Sequence, residues 1–322
     1  MPLGMFREVF IMMNIKRKIL LLVFAGLASA TSLYAAGVGT TAAQFLKIGV
    51  GARAVAMGGA FSAVADNIDA IYWNPAGLAD QKNKQVTASY IQYFQGINIG
   101  FLGYSQPIGK LGALGVGLNY LTIGGIERRT TDVDTAEGTF GANDMALYLS
   151  YADTRFIKLP GLRLGANLKV LRQTLDDKVA QSFALDVAGL YKTPLKNLTA
   201  ALGIYNLGTS VKFINDADPL PLNIRLSGAY RLMNDALVVA LDVDDYIYDE
   251  RITESLGLEY SINKALSARA GYKLGMDSQS LGGLAGFSAG FGVNVWSIQL
   301  DYAFVPYGEL SDTHRITLST KF

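Results

Sequence analysis

The sequence predicts an all-β protein, a transmembrane antiparallel β-barrel of about 14 strands. Three observations predict this fold. Short segments from residue 85 onward alternate apolar and polar side chains, their number is even, and the last of them ends on the aromatic residue Phe322.

The alternation has the period of two that is typical of β-strands. In the final segment, Ile316, Leu318, Thr320 and Phe322 share one face. A chain that ends on an apolar strand residue needs a partner for that strand. The closed barrel supplies one because its last strand pairs with its first.

The predicted strands are about as long as a tilted strand that crosses a bilayer. They cover residues 85–94, 97–107, 112–123, 142–152, 162–173, 181–192, 198–206, 222–231, 236–245, 250–260, 265–273, 282–293, 295–305 and 313–322. Connections after odd-numbered strands are mostly long, namely 124–141, 174–180, 207–221, 246–249, 274–281 and 306–312. Outer-membrane barrels have long outer loops and short periplasmic turns, so both barrel ends are expected in the periplasm.

Charged residues recur on the polar face of the predicted strands. In a soluble sandwich these charges would face water, whereas in a barrel they face the lumen and can pair there. They are Arg163, Lys169, Asp186, Arg225, Asp242, Glu259, Arg269, Lys273 and Asp301. Tyrosines such as Tyr90, Tyr104 and Tyr148 are candidates for the aromatic girdles of a membrane barrel.

The N-terminus has the pattern of a signal peptide. A basic stretch, Lys16 to Lys18, precedes an apolar run from Ile19 to Leu27, which is too short to span a bilayer. We expect cleavage after Ala35, with an N-terminal membrane anchor as the alternative. The predicted organisation is a signal peptide at 1–35, an N-terminal segment rich in alanine and glycine at 36–83, and a barrel at 84–322.

Composition and motifs argue against several classes of function. Removing residues 1–35 takes away four basic residues and one acidic residue, leaving 24 and 26, and that balance does not suggest a nucleic-acid-binding protein. The run Gly49 to Ala54 matches a loose dinucleotide-binding pattern but no predicted strand precedes it. With a single histidine, His314, and no nucleophile–base set, we expect no enzyme, no metal site and no cofactor.

Residues 47–81 resemble the N-terminal segment of the PorV/PorQ family, within the FadL-type superfamily of outer-membrane barrels. The resemblance is carried by Gly51-Ala52-Arg53-Ala54, Met57-Gly58-Gly59-Ala60-Phe61 and Asn74-Pro75-Ala76-Gly77-Leu78, in that order. It implies a fourteen-stranded barrel in the bacterial outer membrane, surrounded by outer-membrane lipids, with the N-terminal segment 36–83 as a plug inside the lumen. It also implies that barrel-assembly machinery recognises the C-terminal strand ending in Phe322.

Transport or binding of a hydrophobic small molecule is the function that we predict from the sequence, with a secretion role as the alternative. In FadL-type proteins the barrel binds or passively transports fatty-acid-like hydrophobic molecules, which leave through a strand kink; Gly124-Gly125 is a candidate kink. That hypothesis predicts a ligand site formed by Phe61, Ile71, Tyr72, Trp73, Asn74 and Pro75. The PorV branch instead receives secreted cargo proteins in type IX secretion, which predicts docking on loops 124–141 and 207–221. A purely structural barrel is the third possibility.

Overall fold

The computed structural model describes residues 39–130, 135–275 and 284–322, so the predicted signal peptide lies outside the described residues. Fourteen antiparallel strands form a closed barrel, as predicted. They are β1 (Gln85–Gln92), β2 (Asn98–Pro107), β3 (Ala113–Arg128), β4 (Gly138–Asp153), β5 (Leu162–Leu175), β6 (Lys178–Lys192), β7 (Leu198–Gly208), β10 (Asn223–Leu232), β11 (Leu237–Tyr246), β12 (Arg251–Ser261), β13 (Leu266–Leu274), β14 (Phe287–Val295), β15 (Ile298–Pro306) and β16 (Asp312–Lys321). A separate two-stranded hairpin contains β8 (Val211–Lys212) and β9 (Ala217–Asp218).

Short helices complete the described secondary structure. Two α-helices, α1 (Ala52–Ala56) and α2 (Ala70–Trp73), lie before the first strand. The 3₁₀ helices span Gln44–Lys47, Pro75–Asp80, Phe94–Gly96, Gly109–Leu111 and Gly308–Leu310. Within the described residues, no helix is long and apolar enough to cross a membrane.

The barrel closes between its first and last strands, as the end of the sequence predicts. Gln92 of β1 lies opposite His314 of β16, and Gln85 lies opposite Lys321. Beyond the last strand, the Phe322 amide donates a hydrogen bond to the Lys84 carbonyl at 3.0 Å, while the Phe322 side chain stays exposed. Pairing therefore continues to Phe322 and leaves the barrel wall without a free edge.

The two faces of the wall separate as predicted. Large apolar side chains such as Phe183, Leu226 and Leu318 are exposed on the outer face, where a barrel meets lipid. Eight of the nine predicted lumen charges are buried inside, and Lys273 is half-buried. One tyrosine departs from the prediction. Tyr148 is completely buried in the lumen rather than in a girdle, because its position in β4 faces inward.

The two ends of the barrel differ. At one end of the barrel, β1 begins at Gln85 and β16 ends at Lys321. The turns after even-numbered strands lie at the same end, which we call the turn end. We call the opposite end the loop end. A predicted seven-residue loop at 174–180 is instead a two-residue turn at Asp176-Asp177, because β5 and β6 run further than expected. Asp176 adopts a left-handed conformation there, with φ 55°.

The loop at 207–221 folds inward over the loop end. Its β8–β9 hairpin buries Val211, and the following Leu220 is also buried, in the same cluster as Phe45 and Leu46 of the N-terminal segment. The Pro219 carbonyl accepts a hydrogen bond from the Ala42 amide at 2.9 Å. The loop thus covers part of the barrel mouth.

Candidate functional site: the plug and the barrel wall

Residues 39–84, which we call the plug, fill the lumen, and small residues let them pack closely against the wall. Ala52, Ala54 and Ala56 of α1 are all completely buried. Ala52 and Ala56 form a core cluster with Ala303 of β15. An alanine-rich helix can approach a neighbouring backbone closely because its side chains occupy little volume, and a helix of only five residues gains its stability from packing.

The Asn74-Pro75-Ala76-Gly77 motif is a cap. Asn74 is completely buried, and its Oδ1 accepts a hydrogen bond from the Ala76 amide at 3.0 Å. Its Nδ2 donates to the Ser62 carbonyl at 2.9 Å. Pro75 occupies the first position of the 3₁₀ helix, where a missing amide hydrogen has no cost. The motif therefore terminates α2 and joins two parts of the plug.

Aromatic side chains form the centre of the plug. The rings of Tyr72 and Trp73 meet edge to face with centroids 5.1 Å apart, and Phe61 lies 6.4 Å from Trp73. Polar atoms on these rings already have partners in the plug. Trp73 Nε1 donates to the Val50 carbonyl at 2.9 Å, and the Tyr72 hydroxyl donates to the Leu46 carbonyl at 2.8 Å.

Wall residues also bind the plug backbone. The Trp73 carbonyl accepts hydrogen bonds from the Tyr205 hydroxyl at 2.9 Å and from Arg225 at 3.4 Å. Arg315 Nη1 donates to the Gly49 carbonyl at 2.7 Å. Buried backbone carbonyls need such partners, so the charged wall satisfies polar groups that the plug leaves open.

One group of buried charges connects the plug directly to the wall. Arg53 of α1 binds both oxygens of Glu259, each at 2.7 Å, and Arg269 donates to Glu259 at 2.6 Å. Arg269 also pairs with Asp301 at 2.7 Å. We call Arg53, Glu259, Arg269 and Asp301 the charge latch. A buried pair with bidentate geometry is costly to break, because separation leaves an uncompensated charge in the interior.

A second connection holds the start of the plug to the loop end. Lys47 pairs with Asp249 at 2.6 Å, and the Thr41 hydroxyl donates to the same carboxylate at 3.1 Å. Asp249 lies in the connection between β11 and β12 and is almost completely buried. The plug is therefore fixed near both ends of the lumen.

The six predicted ligand-site residues lie together in the plug. Phe61, Ile71, Asn74 and Pro75 are buried, Trp73 is 6% exposed, and Tyr72 is half-buried. Two cavities, of about 560 and 720 Å³, lie at the turn end and loop end respectively, and none of the six residues lines either cavity. Their role in binding a ligand stays a prediction.

Sequence reasoning placed the wall charges in the lumen but did not identify their partners. The sequence shows Glu259 and Arg269 as charged residues on the polar faces of predicted strands. It shows Arg53 only as part of the Gly51-Ala52-Arg53-Ala54 motif of the plug. The Lys47–Asp249 pair joins residues about two hundred positions apart. A pattern along the sequence cannot give such a pair without the register of the barrel.

Asp69, at the start of α2, is a buried acidic group in the plug. It is 1% exposed, and its Oδ1 has no hydrogen-bond partner among the described residues. Burial, reinforced by the negative charge of Asp301, raises the pKa of Asp69 to about 7 despite a hydrogen bond from Asn67 and the nearby charges of Arg53 and Arg269. The carboxyl group therefore binds a proton more readily in the folded protein than in the unfolded chain.

This raised pKa predicts a pH-dependent plug. The stabilisation is complete below the ordinary pKa of 3.8 and is lost as the pH rises through about 7. We expect Asp69→Asn to remove this part of the pH dependence. Trp73 fluorescence during urea unfolding in detergent micelles, in a Trp296→Phe background, measures it. An unchanged pH dependence in Asp69→Asn would contradict the assignment.

Comparisons with known proteins agree with this architecture. The family model described as type IX secretion system protein PorV matches residues 34–246. No curated protein sequence matches the chain. The fold is similar to the P. putida toluene transporter TodX, at 12% identity and a TM-score of 0.59, over 85% of this chain and 99% of that one.

Two further solved structures have a similar fold. The Ralstonia pickettii toluene transporter TbuX is 12% identical, with a TM-score of 0.57 over 85% of this chain and 98% of that one. A Pseudomonas aeruginosa FadL homologue is 13% identical, with a TM-score of 0.54 over the same shares. At these identities the similarity concerns the fold. The closed barrel, its plug and the family match over more than half of the chain lead to one conclusion: this protein is a bacterial outer-membrane β-barrel that belongs to the PorV family.

Proposed function

We propose that this barrel is an accessory component of type IX secretion that receives secreted cargo proteins at the cell surface. The observation that carries the proposal is the packed plug. Its central aromatic residues are buried or half-buried, and the polar atoms of Tyr72 and Trp73 have partners within the plug. The family match supports the same conclusion.

The charge latch argues against a plug that opens easily. Movement of α1 away from the wall would break the buried bidentate pair between Arg53 and Glu259 and leave Glu259 with Arg269 alone, which is costly in a region of low dielectric constant. The close contact between Ala52, Ala56 and Ala303 would be lost as well. A barrel that binds a protein partner at its surface needs no such movement.

The β8–β9 hairpin offers a docking surface for cargo. Its inner side is buried against the plug, but Phe213 and Ile214, between the two strands, point away from the core and are 36% and 65% exposed. Exposed apolar residues at the loop end favour contact with a partner protein. This hairpin lies within the loop 207–221 that the sequence predicts for docking.

Uptake of a hydrophobic small molecule is the second candidate function. The observation that favours it is a register shift between Ile123 and Ile126 of β3, at the predicted kink Gly124-Gly125. Gly125 has φ 72°, and a bulge of this kind weakens pairing between neighbouring strands. A lateral exit for an apolar ligand would need such a place in the wall.

We also propose that Phe322 is recognised by barrel-assembly machinery, since its side chain is 65% exposed beside the first strand. We infer no catalysis at His314. Its Nδ1 lies 2.7 Å from the Tyr302 hydroxyl, on an exposed part of the wall. A tyrosine–histidine contact alone supplies no nucleophile–base–orienting set.

A deletion strain of the source bacterium tests both candidate functions. We expect the strain to lose release of type IX cargo and to retain uptake of labelled fatty acid. The wild-type gene should restore release, whereas a Phe213→Asp/Ile214→Asp variant should not. Leu310→Asp is the matched control, because Leu310 is an exposed apolar residue in another loop at the same end. Normal cargo release with lost fatty-acid uptake would overturn the proposal.

A further inference from the structure

A polar cavity opens at the turn end of the barrel, away from the loops discussed above. It has a volume of about 560 Å³, within the range of sites that hold small ligands or short peptide segments. We call it the turn-end bowl. Plug residues 63–66, 77 and 80–83 form one side, and the β6–β7 turn, Arg231, Asp235 and Lys321 form the other.

The carboxylates on the plug side of the bowl are already neutralised. Asp80 pairs with Arg163 at 2.7 Å and with Lys192 at 3.0 Å. Burial opposes ionisation of Asp80, but hydrogen bonds from these two cations hold its pKa below the usual value. Asp66 pairs with Arg53 at 2.5 Å. These acids therefore have little charge left to repel an anion.

Three further lysines of the bowl differ from Lys192. Lys82, Lys196 and Lys321 line it and are exposed. They make no ion pair within the part of the chain that the structure describes. Asp235 is the remaining acidic residue of the lining. The bowl thus presents an excess of positive charge to the periplasm, to which short turns of outer-membrane barrels are directed.

Carboxamide side chains add hydrogen-bonding capacity between these charges. Asn83 and Asn197 line the bowl and are exposed. Gln81 also lines it, and both polar atoms of its side chain are buried without a hydrogen-bond partner in the described structure. An extended polypeptide offers alternating amide donors and carbonyl acceptors, which match such groups.

We propose that the turn-end bowl binds an acidic segment of a periplasmic polypeptide partner. The segment's carboxylates pair with Lys82, Lys196 and Lys321, and its backbone binds the carboxamides. The bowl is bounded by plug residues such as Val64, inside the ring of strands, whereas membrane lipids contact the opposite face of the wall. This position favours a polypeptide over a lipid headgroup. The inference does not depend on the role of the loop end in secretion.

Fluorescence anisotropy tests the proposal on the purified barrel in uncharged detergent. The probe is a fluorescein-labelled peptide of alternating aspartate and glycine. We expect saturable binding that weakens with rising salt, and no binding of the matching asparagine–glycine peptide. In the variant Lys82→Gln/Lys196→Gln/Lys321→Gln we expect affinity to fall by about tenfold or more.

The control variant removes the same charge from elsewhere on the rim. Lys110→Gln/Lys158→Gln/Lys264→Gln changes exposed lysines in other turn-end connections, outside the bowl. It should bind the acidic peptide as the wild type does. Equal losses in both variants, or binding of the asparagine–glycine peptide, would overturn the proposal. Displacement of the peptide by phosphatidylglycerol in nanodiscs, or by inorganic phosphate, would also overturn it by assigning the bowl to phosphate groups.

Discussion

Replacing Glu259 by glutamine is expected to loosen the plug and to destabilise the barrel by about 3 kcal/mol. Glu259 is 5% exposed and receives hydrogen bonds from both Arg53 and Arg269. Glutamine keeps the shape but removes the negative charge, so Arg53 retains only the exposed Asp66 and Arg269 retains only Asp301. Hydrogen exchange of residues 52–61 and urea unfolding in detergent micelles measure the two effects.

Glu309→Gln is the matched control for this substitution. Glu309 is exposed in the loop-end connection before β16 and makes no ion pair within the described residues. Its replacement should leave plug exchange and unfolding unchanged, since an exposed charge contributes little to stability. Equal behaviour of the two variants would show that the charge latch does not hold the plug.

The barrel was predictable because membrane and lumen impose opposite chemistry on alternate residues. Strands such as β15 show this as alternating apolar and polar side chains. The even number of strands is the number that a closed single-chain barrel requires. The β5–β6 connection was not predictable. Its Asp176-Asp177 turn has no glycine to signal a positive φ, so the charged run Asp176-Asp177-Lys178 resembles the centre of a longer loop.

The plug was predictable in position but not in its contacts. The Asn74-Pro75-Ala76-Gly77 motif predicts a plug because it resembles the family segment. Its sequence does not show which wall residues contact the plug. Trp73 illustrates the difference. From the sequence, a tryptophan in the plug is compatible with a ligand pocket or with internal packing, and only the structure shows that its Nε1 donates to the Val50 carbonyl. Long-range contacts of this kind depend on register around the whole barrel.

The ion pairs and the close packing of small residues both hold the plug against the wall. Charges such as Arg53 hold the plug at specific positions on the wall, and small residues bring the two backbones close enough for those charges to meet. Loss of either should therefore affect the other. A bulky side chain at a close backbone approach would separate the plug from the wall, just as neutralising the latch would.

Gly271→Ala is expected to produce that separation, with a cost of about 2 kcal/mol. Gly271 lies in β13, and a Cβ placed there would collide with backbone atoms of Met57 and Gly58. Gly58 cannot easily yield, because it has φ 68° and itself lies against the Tyr272 backbone. The clash involves main chain on both sides, so no side-chain rotation can relieve it.

Gly228→Ala supplies the comparison, since a Cβ at that position in β10 meets no atom within 4 Å. We expect this control to keep wild-type stability. Gly271→Ala should shift Trp73 emission to longer wavelength in a Trp296→Phe background and expose the plug to added protease, while the barrel itself stays assembled. Equal protease protection of the plug in both glycine variants would show that close backbone packing does not hold the plug in place. The charge latch alone would then have to hold it.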